Sequence, residues 1–152
     1  LTTYHNTALY RYIHTLPKDS MLLGHPWDTN EIPTLSQRKV FVEYELALPH
    51  YKKFYEQIRA RLFSFFRIYY SGSIIEIKQF CQKNKIDYIL VNKKYFSDEF
   101  LKKRKIFIEP FNGEAIYFAE KNKKNGFALA HITHQKRIYD DGKYFIIKVS
   151  DL

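Results

Sequence analysis

Residues 16–26 read LPKDSMLLGHP and residues 32–42 read IPTLSQRKVFV, and these two segments decide the fold of the chain. Pro17 ends a helix, and the apolar residues 21–24 predict a short buried strand directly after it. The second segment predicts another strand, over residues 39–44, because β-branched and aromatic residues favour strands. Together the two segments form the first half of an α/β unit.

A polar loop connects the two predicted strands. It spans residues 25–38, because Pro26 and Pro33 disfavour regular structure. In open α/β sheets, ligands bind beyond the carboxyl ends of the strands, which is where this loop lies. The candidate ligand-binding residues in it are His25, Trp27, Asp28, Glu31 and Arg38. The indole could stack on a sugar ring while the carboxylates accept its hydroxyl hydrogens, but the same side chains could equally tie the loop to the rest of the domain.

Further elements follow from hydrophobic periodicity and from turn and cap signals. Helices are predicted over residues 7–15, 50–70, 73–85 and 97–103, and strands over residues 87–92, 137–140 and 143–149. Ser73 and Glu76 have the spacing of a capping box, and Asp141-Gly142 is a hairpin turn signal. Residues 105–135 give no clear pattern.

The alternation of strands and helices from residue 20 to residue 92 predicts an α/β fold. We expect a single three-layer-like domain over residues 1–152, with a mixed, partly parallel sheet flanked by helices. The segment 87–92, DYILVN, is apolar enough to be a central strand buried on both faces. The hairpin near the C-terminus would add antiparallel strands at the edge.

Composition bounds the possible partners. Hydrophobic residues make up 45% of the chain and aromatic residues 18%, which is enough for a core built largely from ring packing. The 25 Lys and Arg against 16 Asp and Glu give a net charge of +9. Such a charge is compatible with nucleic acid, anionic lipid or phosphorylated ligands, and equally with a solvated basic surface. No apolar run approaches the ~18 residues that a membrane span needs.

The order of these elements resembles the extracytoplasmic C-terminal domain of polytopic membrane proteins of the C-type glycosyltransferase kind, which include oligosaccharyltransferase-like and mannosyltransferase-like proteins. The similar segments are residues 16–19 (LPKD), 21–26 (MLLGHP), 32–33 (IP), 38–42 (RKVFV), 84–91 (NKIDYILV) and 138–146 (IYDDGKYFI). The resemblance covers residues 7–92 and 136–149, and the middle third of the chain does not match.

This resemblance implies a soluble module, membrane-associated through the rest of its chain and placed on the periplasmic or outer face. The chain would be a fragment of a larger membrane protein. The catalytic carboxylates of those families lie in loops of the membrane part, so the domain would be accessory or structural and not catalytic alone. Its partners would be the remainder of the membrane-spanning chain, with anionic lipid head groups or a lipid-linked glycan as further candidates. No cofactor is implied.

Other candidate sites are weaker. Arg38 could form a phosphate-binding patch with Arg59, Arg61 and Arg67, because guanidinium groups match phosphate geometry. His131 and His134 have a spacing that could ligate zinc from a helix, but no nearby residues complete a set, so no metal is expected. Cys81 falls on the apolar face of its predicted helix and is expected to be a buried, inert thiol. The sequence contains no P-loop, Gly-rich dinucleotide turn or serine elbow.

The alternative function is a free-standing cytoplasmic α/β binding protein, with a basic surface for nucleic acid or phosphorylated ligands. Aromatic and basic residues are interleaved in residues 51–55 and 92–96, as on some nucleic-acid-binding surfaces. However, the aromatic rings of the first segment follow the periodicity of a helix core. A nucleic-acid partner is therefore not expected.

Overall fold

The computed structural model describes residues 7–42 and 52–152, with side chains from residue 55 onward in the second range. Five strands form one open sheet: β1 (Met21–Leu23), β2 (Lys39–Val40), β3 (Tyr88–Asn92), β4 (Arg137–Asp140) and β5 (Tyr144–Lys148). Their order is β2-β1-β3-β5-β4. β1 pairs in parallel with both β2 and β3, whereas β5 is antiparallel to β3 and to β4. The predicted mixed sheet with a C-terminal hairpin is confirmed.

Helices precede, connect and cover these strands. They are α1 (Thr7–Thr15), α2 (Pro26–Thr29), α3 (Ile32–Leu35), α4 (Lys52–Tyr69), α5 (Ile74–Lys83), α6 (Asp98–Lys102) and α7 (Asn112–Lys123). Short 3₁₀ helices cover Lys93–Phe96, Ala128–His131, His134–Lys136 and Val149–Asp151. None of the helices in the described ranges is both long and apolar enough to cross a membrane.

The sheet has a hydrophobic core on each face, which gives the predicted three layers. The larger core packs α4, α5 and α7 against the sheet and is rich in phenylalanine and tyrosine. The smaller core packs Leu9 and Ile13 of α1 against the other face. Successive residues of β3 alternate between the two, with Leu90 in the smaller core and Val91 in the larger one. Every residue of β3 is therefore buried, as expected for the central strand.

The helix predictions are largely confirmed. α1 has the predicted bounds, and the capping box at the start of α5 forms, with the Ser73 hydroxyl accepting from the backbone N–H of Glu76 at 3.2 Å. In a simple capping box the Glu76 carboxylate would accept directly from the backbone N–H of Ser73. Here the Ser71 hydroxyl lies between them: it accepts from the backbone N–H of Ser73 and donates to the Glu76 carboxylate. Residues 43–51, at the end of the second predicted strand and the start of the long helix, lie outside the described residues.

The prediction of an irregular loop over residues 25–38 is wrong. The segment contains two helical turns, α2 and α3, and each has its proline in the first or second position. A proline there replaces a backbone N–H that has no helical partner anyway, and its fixed φ angle suits a helix start. Pro26 and Pro33 therefore begin short helices here, which fixes the direction of the side chains that follow.

Gly24, between β1 and α2, lies where a side chain does not fit. A Cβ at this position would be 2.8 Å from Cγ2 of Thr29 and 3.2 Å from Cβ of Leu90. We expect Gly24→Ala to lower the free energy of unfolding by about 1–3 kcal/mol, since overpacking forces neighbouring groups to move. Urea unfolding would measure it, with Gly113→Ala as the matched control.

Gly113 lies in α7, and a Cβ there would meet nothing within 4 Å. The control variant should therefore be neutral or more stable, by up to about 1 kcal/mol, because alanine favours helices. Equal effects of the two substitutions would contradict close packing at Gly24.

Candidate functional site

The candidate site lies at the carboxyl ends of β1 and β3. The chain leaves β1 toward its neighbour β2 and later crosses to the other side of β1 to form β3. Adjacent parallel strands whose connections leave in opposite directions open a crevice at their carboxyl ends, and this crevice is where open α/β sheets bind ligands. α2 begins directly after β1 and places Trp27 and Asp28 here, while Asn92 ends β3.

His25 is fully buried and organises the turn from β1 into α2. Its Nδ1 accepts from the backbone N–H of Trp27 at 3.3 Å, so it caps the helix. The hydrogen then lies on Nε2, which donates to the carbonyl of Ile106 at 3.1 Å. The ring stacks on Tyr95 with 4.1 Å between centroids and meets Phe107 edge-on. Burial lowers the pKa of His25 to about 3, so the side chain is neutral and serves as a positioning group.

Asp28 projects from α2 toward β3 and β5 and accepts three hydrogen bonds at one carboxylate oxygen. The donors to Oδ1 are the Tyr144 hydroxyl at 3.2 Å and the Asn92 amide and Tyr95 hydroxyl, each at 3.4 Å. Oδ2 is also enclosed but has no hydrogen-bond partner among the described residues. A buried carboxylate oxygen without a partner is costly, and such groups are more frequent at functional sites than elsewhere. Asp28 is therefore the chemically least satisfied group of this crevice.

Burial raises the pKa of Asp28 to about 6, although hydrogen bonds from Asn92 and Tyr144 act in the opposite direction. Compared with the unfolded chain, the folded state therefore favours the protonated form of Asp28. The stabilisation that comes from this raised pKa is fully present below the ordinary pKa of 3.8, and it is lost as the pH rises through about 6. We expect Asp28→Asn to be more stable than the unmodified chain by about 2–3 kcal/mol above about pH 7, with most of the difference gone near about pH 4. Urea unfolding across this range measures the effect, and parallel pH profiles would contradict it.

The other candidate residues of the segment have different environments. Trp27 is partly buried and packs against Phe107, with 5.6 Å between the ring centroids. Glu31 is partly exposed at the start of α3. Arg38 is buried, and its guanidinium donates to backbone carbonyls at the carboxyl ends of α1 and α3. The structure thus brings Trp27 and Asp28 to the crevice, whereas His25 and Arg38 are enclosed by protein.

Sequence reasoning missed most of the residues that surround Asp28. Asn92, Tyr95 and Tyr144 come from β3, from the 3₁₀ helix after it, and from β5. Asn92 carried a usable signal, because a polar residue at the end of an apolar central strand lies at the crevice. Tyr144 carried none, because its proximity depends on β5 pairing with β3.

The remaining candidate groups are spread over the molecule. Arg67 pairs with Glu76 at 2.7 Å, and Arg61 donates to the carbonyl of Phe41 at 3.3 Å, so these two do not join Arg38 in a patch. Cys81 is buried, as predicted, and burial raises the pKa of its thiol to about 12, which favours the protonated thiol at neutral pH. Within the described ranges, no three His, Cys, Asp or Glu side chains lie close enough together to hold a metal ion.

Comparison with known proteins relates the chain to a solved structure by its fold. No protein-family model matches the chain, and no curated protein sequence matches it. Among solved structures, the chain is similar to the C-terminal globular domain of an oligosaccharyltransferase from Archaeoglobus fulgidus. The likeness has a TM-score of 0.53 at 16% sequence identity, and it covers 93% of this chain and 94% of that one. At this identity the likeness concerns the fold, and the chain has the α/β fold of an oligosaccharyltransferase C-terminal globular domain.

Proposed function

We propose that this chain is the extracytoplasmic domain of a larger, multispanning membrane protein of the glycosyltransferase kind. In it, the domain supports the membrane part or helps to bind a glycan or lipid-linked substrate, and it does not catalyse transfer alone. The remainder of the membrane-spanning chain is its first partner, and α1 is the element that follows the membrane part.

One observation carries this proposal. The likeness to the oligosaccharyltransferase domain extends over nearly the whole length of both chains, so it is not confined to a common βαβ segment. The net charge of +9 is compatible with this placement, because long domains cross the membrane largely regardless of their charge.

The crevice around Asp28 is the part of the domain that we propose contacts a ligand. Trp27 offers part of an indole face, and Asp28 and Glu31 supply carboxylates, which together suit a hydroxyl-rich molecule such as a glycan. His25 and Arg38 would not contact the ligand. His25 holds α2 in place, and Arg38 holds the end of α1.

The membrane part of the proposal is tested on the gene. Translation of the reading frame upstream of Leu1 is expected to give several apolar segments of about 20 residues each. A reporter enzyme that is active only outside the cytoplasm, fused after Leu152, is then expected to be active. A reading frame that starts beside Leu1, or a reporter active only in the cytoplasm, would instead favour the free-standing cytoplasmic binding protein.

The ligand part is tested in the full-length protein. Trp27→Ala is expected to lower the yield of glycan-modified product while the amount of protein in the membrane stays constant. The control is Tyr117→Ala, which also removes an aromatic ring, but from an exposed position of α7 away from the crevice. The amount of each variant in the membrane is measured as well, because Trp27 is partly buried and its loss could reduce folding. Equal yields from both variants would remove the crevice from the proposal and leave the membrane assignment standing.

A further inference from the structure

A second cleft lies between the C-terminal hairpin and the segment that follows α7. Its volume is about 290 Å³, and its base includes the rings of Phe96 and Phe145. Its lining residues include neither Asp28 nor any of the three residues that donate to Asp28. The cleft is therefore separate from the crevice described above.

Three basic side chains line this cleft: Lys93, His134 and Arg137. They meet around one carboxylate, that of Asp140, which lies 2.7 Å from Nη1 of Arg137, 3.3 Å from Nζ of Lys93 and 3.5 Å from Nδ1 of His134. Two permanent positive charges thus face one negative charge, before any charge on the histidine is counted. The Arg137 side chain is about nine-tenths buried, with a relative exposure of 9%.

Two of the three nitrogens of the Arg137 guanidinium have acceptors. Nη1 donates to Asp140 and Nη2 donates to the carbonyl of Ile132 at 2.8 Å. Nε is enclosed and has no acceptor among the described residues. Beside this enclosed donor, the cleft has an excess of positive charge over the one carboxylate, and an anionic ligand would balance that excess.

The apolar base of the cleft narrows the class of acceptor. The Arg137 guanidinium lies over the Phe145 ring at 4.2 Å from its centroid, with the Lys93 ammonium at 5.8 Å. A free inorganic ion would leave the surface between these groups and Phe96 uncovered. A small molecule with an anionic head and an apolar part would cover it, and the volume suits a compact ligand.

We propose that this cleft is a binding site for a small organic phosphate, with the phosphate held by Lys93, His134 and Arg137 and the apolar part packed on Phe96 and Phe145. Charge-assisted hydrogen bonds to the phosphate would replace part of the interaction with Asp140. The site is independent of the proposed function, since it uses none of the residues of the Asp28 crevice.

Titration of the 152-residue chain with phenyl phosphate, followed by NMR, tests this site. We expect saturable shifts at Phe145 and Ala130, and weaker binding of inorganic phosphate, which lacks the ring. Lys93→Gln is expected to weaken phenyl phosphate binding by about tenfold, because one charge-assisted contact is lost. Lys148→Gln makes the same change in net charge at an exposed position of β5 outside the cleft and should bind as the unmodified chain does.

Asp140→Asn provides a test that a folding defect cannot imitate. It removes the carboxylate that competes for the three basic groups, and its amide oxygen can still accept from the backbone N–H of Gly142, as Asp140 does at 2.9 Å. We expect tighter binding of phenyl phosphate to this variant. Absence of saturable binding, equal weakening by Lys93→Gln and Lys148→Gln, weaker binding to Asp140→Asn, or equal affinity for inorganic phosphate would each overturn the proposal.

Discussion

Substitution of His25 by alanine is expected to lower the free energy of unfolding by about 3–5 kcal/mol, the largest effect that we predict for a single residue. The imidazole is fully buried, and both of its nitrogens are used, one by the Trp27 backbone and one by the carbonyl of Ile106. Its removal would leave two backbone groups without partners and a cavity beside Tyr95 and Phe107. Urea unfolding followed by circular dichroism measures the loss.

Two further variants separate the hydrogen bonds from the packing. His25→Phe keeps a ring in the cavity but neither hydrogen bond, so we expect an intermediate loss of about 2–3 kcal/mol. His131→Ala is the control, because His131 is exposed in the 3₁₀ helix after α7, and its loss should stay within about 0.5 kcal/mol. If His25→Ala and His131→Ala differed by less than about 1 kcal/mol, the buried role of His25 would be wrong.

The role of His25 shows where sequence reasoning stops. The position after the first strand was predicted correctly, and in an α/β fold such a position faces either a ligand or the protein. The decision depends on Ile106 and Phe107, which lie more than 80 residues further along the chain, in the segment 105–135 whose structure the sequence leaves open. The ligand-binding role of Trp27, Asp28 and Glu31 stays a prediction.

The elements that were predicted share a clear periodicity. α1 and α4 carry apolar residues at three- and four-residue steps, and β3 is a short apolar run with a polar residue at its end. α7 has no such stripe, because residues 115–119 (AIYFA) are all apolar or aromatic and equally suit a strand. Packing against α4 selects the helix there, and such packing is a tertiary effect.

The sequence predicts where the candidate residues lie relative to the sheet, but not which side chains surround them. Switch-point reasoning locates the carboxyl end of β1, and it would also have located Asn92. It does not supply Tyr144, because the register that sets Tyr144 opposite Asn92 arises from pairing between strands about 50 residues apart. Switch-point reasoning also does not show that one oxygen of Asp28 is enclosed without a partner, whereas another carboxylate of the segment 25–38 could be solvated.

Arg38 is the second residue whose replacement should be severe. Its guanidinium is buried without a carboxylate beside it among the described residues, and five hydrogen bonds to backbone carbonyls of His14, Leu16, Ser36 and Gln37 hold it in place. The acceptors at the end of α1 are carbonyls that a helix terminus leaves without partners. Arg38 therefore joins the end of α1 to the segment that leads into β2.

We expect Arg38→Ala to lower the free energy of unfolding by about 3–4 kcal/mol, because several buried carbonyls lose their donors at once. Arg38→Lys should recover less than half of the loss, since a lysine keeps the charge but cannot donate along two edges of a planar group. Arg11→Ala, on the exposed side of α1, is the matched control and should change stability by less than about 0.5 kcal/mol. A lysine variant as stable as the unmodified chain would show that charge alone, and not the fork of donors, holds the end of α1 against β2.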